Sequence, residues 1–164
     1  MAQPYVAGDQ QETTYFSNGA NGSTVGYPVM LPLEWVDLGG QMSTYTVAHG
    51  EEAEVSVSGV YRLGLSVFIR EAHSASATIP IAVKFIVRVW STSTGSQKTV
   101  RLIGGWMGFH GTANATAVCS ADLLLDDGDR VSIYAQVANG AVRLSKAAWG
   151  ADTEGTTASL VKVG

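Results

Sequence analysis

One cysteine in 164 residues excludes a disulfide within the chain. The fold must be held by its core, and a chain of this length buries about 70% of its unfolded surface, enough to do so without covalent staples. Cys119 itself stands among alternating apolar residues, the setting of a buried inert thiol rather than of a nucleophile. Charge is scarce as well. Asp, Glu, Lys and Arg make up 15% of the chain, against about 25% in an ordinary soluble domain, and the net charge is −4. The 10 Lys and Arg stand singly, so no basic stripe exists to neutralise phosphates, which argues against nucleic-acid binding. Scarce charge is what an extensively assembled surface shows, and also what a plain Ser-, Thr-, Gly- and Ala-rich β surface shows. No run long and apolar enough to span a membrane is present, and Met1-Ala-Gln-Pro-Tyr-Val has neither the basic region nor the apolar stretch of a secretory leader. The expectation is a protein made in the cytoplasm. Helical periodicity is missing too, since no segment of useful length repeats at 3.6 residues.

What is there instead is alternation. In 120–137 an apolar strand, an acidic-glycine turn and a second strand follow one another. Val131, Ile133, Ala135 and Val137 take one face of the second strand, while Ser132, Tyr134 and Gln136 take the other. Asp127-Gly128 supplies the turn, and Leu123 and Leu125 continue an apolar face begun by Ala117, Cys119 and Ala121. The same period predicts strands over 29–36, 44–47, 53–57, 59–71, 79–90, 99–109, 113–125, 130–137, 141–147 and 157–163. Tyr61, Leu63, Leu65, Val67 and Ile69 form one inward set, and Ile79, Ile81, Val83, Phe85, Val87 and Val89 another. Such a pattern, with no repeat at 20 to 50 residues, predicts an all-β sandwich of two antiparallel sheets. Residues 1–28 differ. Repeated Asn-Gly pairs and the absence of sustained periodicity read as an extended N-terminal arm ahead of a domain at 29–164. Tyr5, Val6, Tyr15 and Phe16 are apolar anchors within it, suited either to a partner surface or to an edge of the chain's own sheet.

Three motifs in order carry a resemblance: Gly59-Val60-Tyr61, then Leu125-Asp126-Asp127-Gly128-Asp129-Arg130-Val131, then the short apolar stretch from Ser159 to Val163. Together they resemble the tumour necrosis factor and complement globular-head superfamily over residues 31–164. The resemblance implies a jelly roll that associates as a homotrimer. Two departures separate the chain from the vertebrate members: it has no collagen-like stalk, and Ser-Leu-Val-Lys-Val stands where their aromatic-rich last strand would be. The resemblance therefore implies architecture, not the vertebrate signalling role. A trimer needs a flat face outside the core. Val118, Ser120, Leu124 and Tyr134 on the late strands, with Phe68 and Ile86 on the earlier ones, fall opposite the core sets and are the interface candidates. The alternative is that the second sheet or the N-terminal segment covers them.

Catalytic constellations are thin. His49, His73 and His110 are far apart and lack metal-ligand spacing. Asp126, Asp127 and Asp129 would offer calcium three side chains where six or more oxygens are needed, and beside a glycine they are ordinary turn formers. Glu51, Glu52 and Glu54 meet the same objection. No nucleophile, acid–base pair or metal set is visible, so no enzyme, cofactor or metal is expected. The leading expectation is a structural virion protein: a trimeric capsid decoration or cementing protein on the capsid surface, its partners its own copies and the major capsid protein. The alternative is the receptor- or carbohydrate-binding head of a phage fibre or bacterial surface protein, where Trp35, Trp90, Trp106 and Trp149 are candidates to stack on sugars.

Overall fold

The structure is a computed structural model and describes residues 5–8, 13–17, 28–31, 33–36, 42–47, 50–74, 81–109, 115–138, 140–145 and 157–164. Among these are thirteen strands and no helix, arranged as two antiparallel sheets. The first sheet takes β1 (Tyr5–Gly8), β2 (Thr13–Ser17), β4 (Leu33–Val36), β7 (Gly59–Ser74), β10 (Ala115–Leu125), β12 (Gly140–Ser145) and β13 (Thr157–Lys162). The second takes β3 (Val29–Met30), β5 (Met42–Val47), β6 (Gly50–Val55), β8 (Ile81–Ser91), β9 (Ser96–Phe109) and β11 (Asp129–Ala138), with β5-β6-β11-β8-β9 side by side and β3 also on β11. The centre of the first sheet is β7. One of its edges is paired along β10 from Gly59 to Ile69, and the other is divided between β13, over Tyr61 to Ser66, and β12, over Ile69 to Ser74.

Period-2 alternation then decides what is inside. Leu63, Leu65, Val67 and Ile69 of β7 face Val83, Phe85 and Val87 of β8 and Val131, Ile133 and Ala135 of β11 across the sandwich, and all are buried. Burying a side chain of this kind stabilises by about 1.5–3 kcal/mol, so the core outweighs any single polar contact described below. Tyr61, also buried, keeps its hydroxyl satisfied by donating to the Val57 carbonyl at 2.7 Å. Cys119 lies on the inward face of β10, and burial pushes its thiol up to about 11, so it stays neutral and unreactive near pH 7. The chain's last residues fold back on β7, with Val60 N donating to Gly164 O and Val163 N to Val60 O, both at 2.8 Å. A Cβ on Gly59 would sit 2.3 Å from Gly164 O, so this approach needs glycine.

Two expectations change. The single strand predicted over 29–36 is two: β3 pairs with β11 in the second sheet, while β4 pairs with β1 in the first. The crossing point is Leu31, which is buried and donates its N–H to Ile133 O at 2.8 Å, and Pro32 follows with no N–H to continue a ladder. The second change concerns residues 1–28. Rather than standing apart as an arm, residues 5–8 insert between β13 and β4, with Val6 opposite both Ala158 and Trp35, and residues 13–17 pair along β12, with Tyr15 opposite Arg143 and Phe16 opposite Val142. The boundary drawn at residue 28 therefore does not divide the sandwich. The physical reason is that β12 and β13 would otherwise present unpaired backbone groups to water. The side chains of Tyr5, Val6, Tyr15 and Phe16 are outside the described residues.

Because β1 is what links β4, and with it the buried Trp35, to the rest of the first sheet, deleting residues 1–17 should lower the melting temperature by roughly 10 °C or more, as loss of a large buried side chain's packing would. A differential scanning fluorimetry trace that does not move would show the segment to be a free arm after all.

Candidate functional site

On the outward face of the first sheet, the residues opposite the core set line up in rows. Val118 of β10 stands beside Ser66, Ser120 beside Gly64, Asp122 beside Arg62 and Leu124 beside Val60. On the other side of β7, Ser159 lies beside Gly64 and Val161 beside Arg62. Val118 is 73% exposed and Leu124 71%, and Val60 and Val163 are also large apolar side chains left on water. Gly64, Ser66, Ser120 and Ser159 have too little bulk to fill the space between them, which leaves a shallow hollow of about 400 Å³. Crossing the face is a bidentate ion pair: Arg62 Nε donates to Asp122 Oδ1 at 2.9 Å and Nη2 to Oδ2 at 3.1 Å. The two charges offset each other on the face, and the guanidinium beside Asp122 holds its carboxyl below the ordinary carboxylate range. Arg101 of β9 adds a third contact, donating through Nη1 to the Asp122 backbone carbonyl at 2.6 Å.

The six interface candidates do not share this face. Val118, Ser120 and Leu124 do, and Phe68 pairs with Thr116 on the neighbouring row, its side chain outside the described residues. Ile86 and Tyr134 are paired with each other on β8 and β11, on the other sheet and on the face opposite Phe85, Val87, Ile133 and Ala135, where Ile86 is itself buried and Tyr134 half-buried. One flat contact cannot use both groups. Alternation tells inside from outside, but says nothing about which of two outsides a strand presents. Val60, Val163 and the Arg62–Asp122 pair complete the first face, and the signal for them was available in the same alternation through β7 and β13.

The acidic turn resolves into a latch. Gly128 adopts φ +86°, a conformation glycine accepts readily, and its N–H donates to Val55 O at 2.8 Å. Asp129 is 1% exposed, and its Oδ2 accepts from Asp126 N at 2.9 Å and from Lys98 Nζ at 2.7 Å. Lys98 Nζ also reaches Asp126 Oδ2 at 2.6 Å, and these two carboxylates hold the ammonium above its ordinary pKa. Asp127 N donates to Ser58 Oγ at 2.9 Å. An ammonium thus sits where a calcium ion would have to, and among the described residues no group of three or more His, Cys, Asp or Glu is placed to hold a metal. Sequence spacing could not show this, because Lys98 lies on another strand.

Of the tryptophans, Trp35 is buried in the core, Trp90 is 42% exposed on the second sheet, Trp106 lies in β9 with its side chain outside the described residues, and Trp149 is outside them. His73 lies in β7 opposite Ala141, and His49 and His110 are outside the described residues. Neither a protein-family model nor a curated protein matches the sequence. Solved structures do match in three dimensions. Eiger, the tumour necrosis factor of S. frugiperda, gives a TM-score of 0.63 at 14% identity, over 99% of this chain and 92% of its own. Murine APRIL gives 0.59 at 14% identity, over 99% and 98%. The fold is that of the tumour necrosis factor jelly rolls. At such identities the likeness speaks of architecture, and within the tumour necrosis factor fold the faces of this chain carry their own chemistry.

Replacing Asp129 with Ala strands the Asp126 N–H and one contact of the Lys98 ammonium, so the unfolding free energy should fall by about 2 kcal/mol and the melting temperature by roughly 4–8 °C. The same melt in the presence of a chelator should leave the wild-type protein unchanged. A drop on chelation would mean that a metal displaces Lys98 from the turn.

Proposed function

We propose that the chain acts as a non-enzymatic homotrimeric head, and that its role is structural: a decoration protein that seats on a virus capsid and cements the shell. The observation that carries the trimer is the outward face of the first sheet. Val118 lines a hollow of small residues, Leu124, Val60 and Val163 are exposed further along the same face, and the charges between them, Arg62 and Asp122, are mutually neutralised. Large apolar side chains left on water in this way are a solubility liability on a monomer and an asset at a contact, where a neighbour's side chain fills the hollow. A contact between unlike surfaces closes on itself when the rotation is threefold, and the tumour necrosis factor fold is compatible with that geometry. The capsid assignment is supported by the low charge of the chain and by the lack of any visible catalytic set in the sequence. The partners would be two further copies of the chain and the major capsid protein, on the surface of a virion assembled in a host cytoplasm. A second reading, a receptor- or carbohydrate-binding head, is favoured by the exposed indole of Trp90.

Sedimentation equilibrium at micromolar concentration should return three times 17.2 kDa. The double variant Val118→Asp/Leu124→Asp places two charges on the contact face and should sediment as a folded monomer, since both side chains are solvent-facing in the isolated subunit. A wild-type monomer would remove the proposal. Undecorated capsids separate the two roles: saturable binding of the trimer that is kept in Trp90→Ala supports decoration. No capsid binding moves the assignment to the binding head.

A further inference from the structure

The outward face of the second sheet is chemically unlike that of the first. On β8 it carries buried Ile86, half-buried Arg88 and exposed Trp90, and the pairing sets Trp90 beside Arg130, and Arg88 beside buried Ser132 on one side and Val100 on the other. Trp90 and the 50%-exposed Val100 leave an indole and an isopropyl group on water. The Arg88 guanidinium carbon lies 4.2 Å from the centre of the Tyr134 ring, so the cation is held in place by the ring's π face. Among the described residues Arg88 meets no carboxylate, and its buried Nε has no hydrogen-bond partner. Arg130 differs, with its Nε 3.4 Å from Glu54 Oε2. Among the described residues the face therefore holds a fixed cation that meets no carboxylate of its own beside an exposed indole, in a chain whose net charge is −4.

We propose that this face binds a carboxylated sugar, its ring laid on Trp90 and its carboxylate taken by Arg88. An indole standing on a flat sheet offers a broad π face to the C–H groups of a pyranose, and it does so without the groove a peptide would need. Residues two apart on one strand lie roughly 7 Å from each other on the same face, a separation that one acidic sugar residue spans. A guanidinium takes a carboxylate with two parallel hydrogen bonds, and one already oriented by Tyr134 loses less freedom on doing so. Exposed Gln97, opposite Trp90, and the Arg130–Glu54 pair supply polar groups for ring hydroxyls at the margin. The site is complete within one subunit and lies on the side of the sandwich away from Val118 and Leu124, so it stands whether or not the trimer does.

The test is a titration of the full chain with trigalacturonate and with sialyllactose, which distinguish a uronic from a sialic acid source, against maltotriose and a hexaglutamate peptide as controls. Followed by isothermal calorimetry and by shifts of the indole N–H resonances, at least one acidic sugar should bind with Kd on the order of 0.1–1 mM, and more weakly as salt rises. Trp90→Ala and Arg88→Gln should each weaken binding at least tenfold, with Arg88→Lys between them and the wild type. Trp90 is exposed and Arg88 half-buried, and unchanged melting curves would confirm that the variants fold. Four results would overturn the proposal: no binding of either acidic sugar at roughly 10 mM, equal binding of maltotriose, tighter binding of the peptide, or binding undiminished in both variants. A monomeric protein that still binds the sugar would retain this site while removing the trimer.

Discussion

Strand β7 is hydrogen-bonded along both edges, and the rest of the molecule is arranged around that fact. A strand with both edges occupied has only its two faces left to spend. The inward one holds Tyr61, Leu63, Leu65, Val67 and Ile69, and so cannot be anything but core. The outward one carries Val60, Arg62, Gly64 and Ser66, and through the pairing it brings Val118, Ser120 and Leu124 on one side together with Ser159 and Val161 on the other. The hollow and the ion pair are consequences of register: one residue of slip in β10 would turn Val118 and Leu124 inward and Cys119 and Leu123 out.

Most of the core was legible in the sequence because burial imposes a period of two, and that period survives any choice of partner. Val131, Ile133, Ala135 and Val137 are inside for the same reason that Ile81, Val83, Phe85, Val87 and Val89 are. Partnership itself is not periodic. β1 and β2 are short, β1 between Pro4 and Asp9 and β2 ahead of an Asn- and Gly-rich stretch, and β13 and β12, which tie them to β7, lie more than a hundred residues away, so nothing local marks them as parts of the sheet. The grouping of Ile86 and Tyr134 with Val118 and Leu124 failed on the same ground, since two sheets have two outer faces with one and the same alternation. Lys98 was likewise invisible beside Asp126 and Asp129, because only the folding of β9 across the turn brings the ammonium to them.

The two outer faces divide the electrostatics between them. On the first, Arg62 and Asp122 cancel, leaving a surface whose burial against a neighbour would not abandon a lone charge. On the second, Arg88 rests half-buried on an aromatic ring instead of on an acid, so its charge is not cancelled there by a described carboxylate. A chain with only 15% charged residues thus keeps them where they distinguish one side from the other.

The hydrogen bond from Arg101 to the Asp122 carbonyl bears on what kind of assembly is possible at all. Among the described residues β10 pairs only with β7, so its far side is a sheet margin, and a carbonyl there already held by a guanidinium is not offered to a passing strand. A second copy would have to displace Arg101 before its backbone could pair at this point of the margin, and pairing of that kind has no natural stopping point.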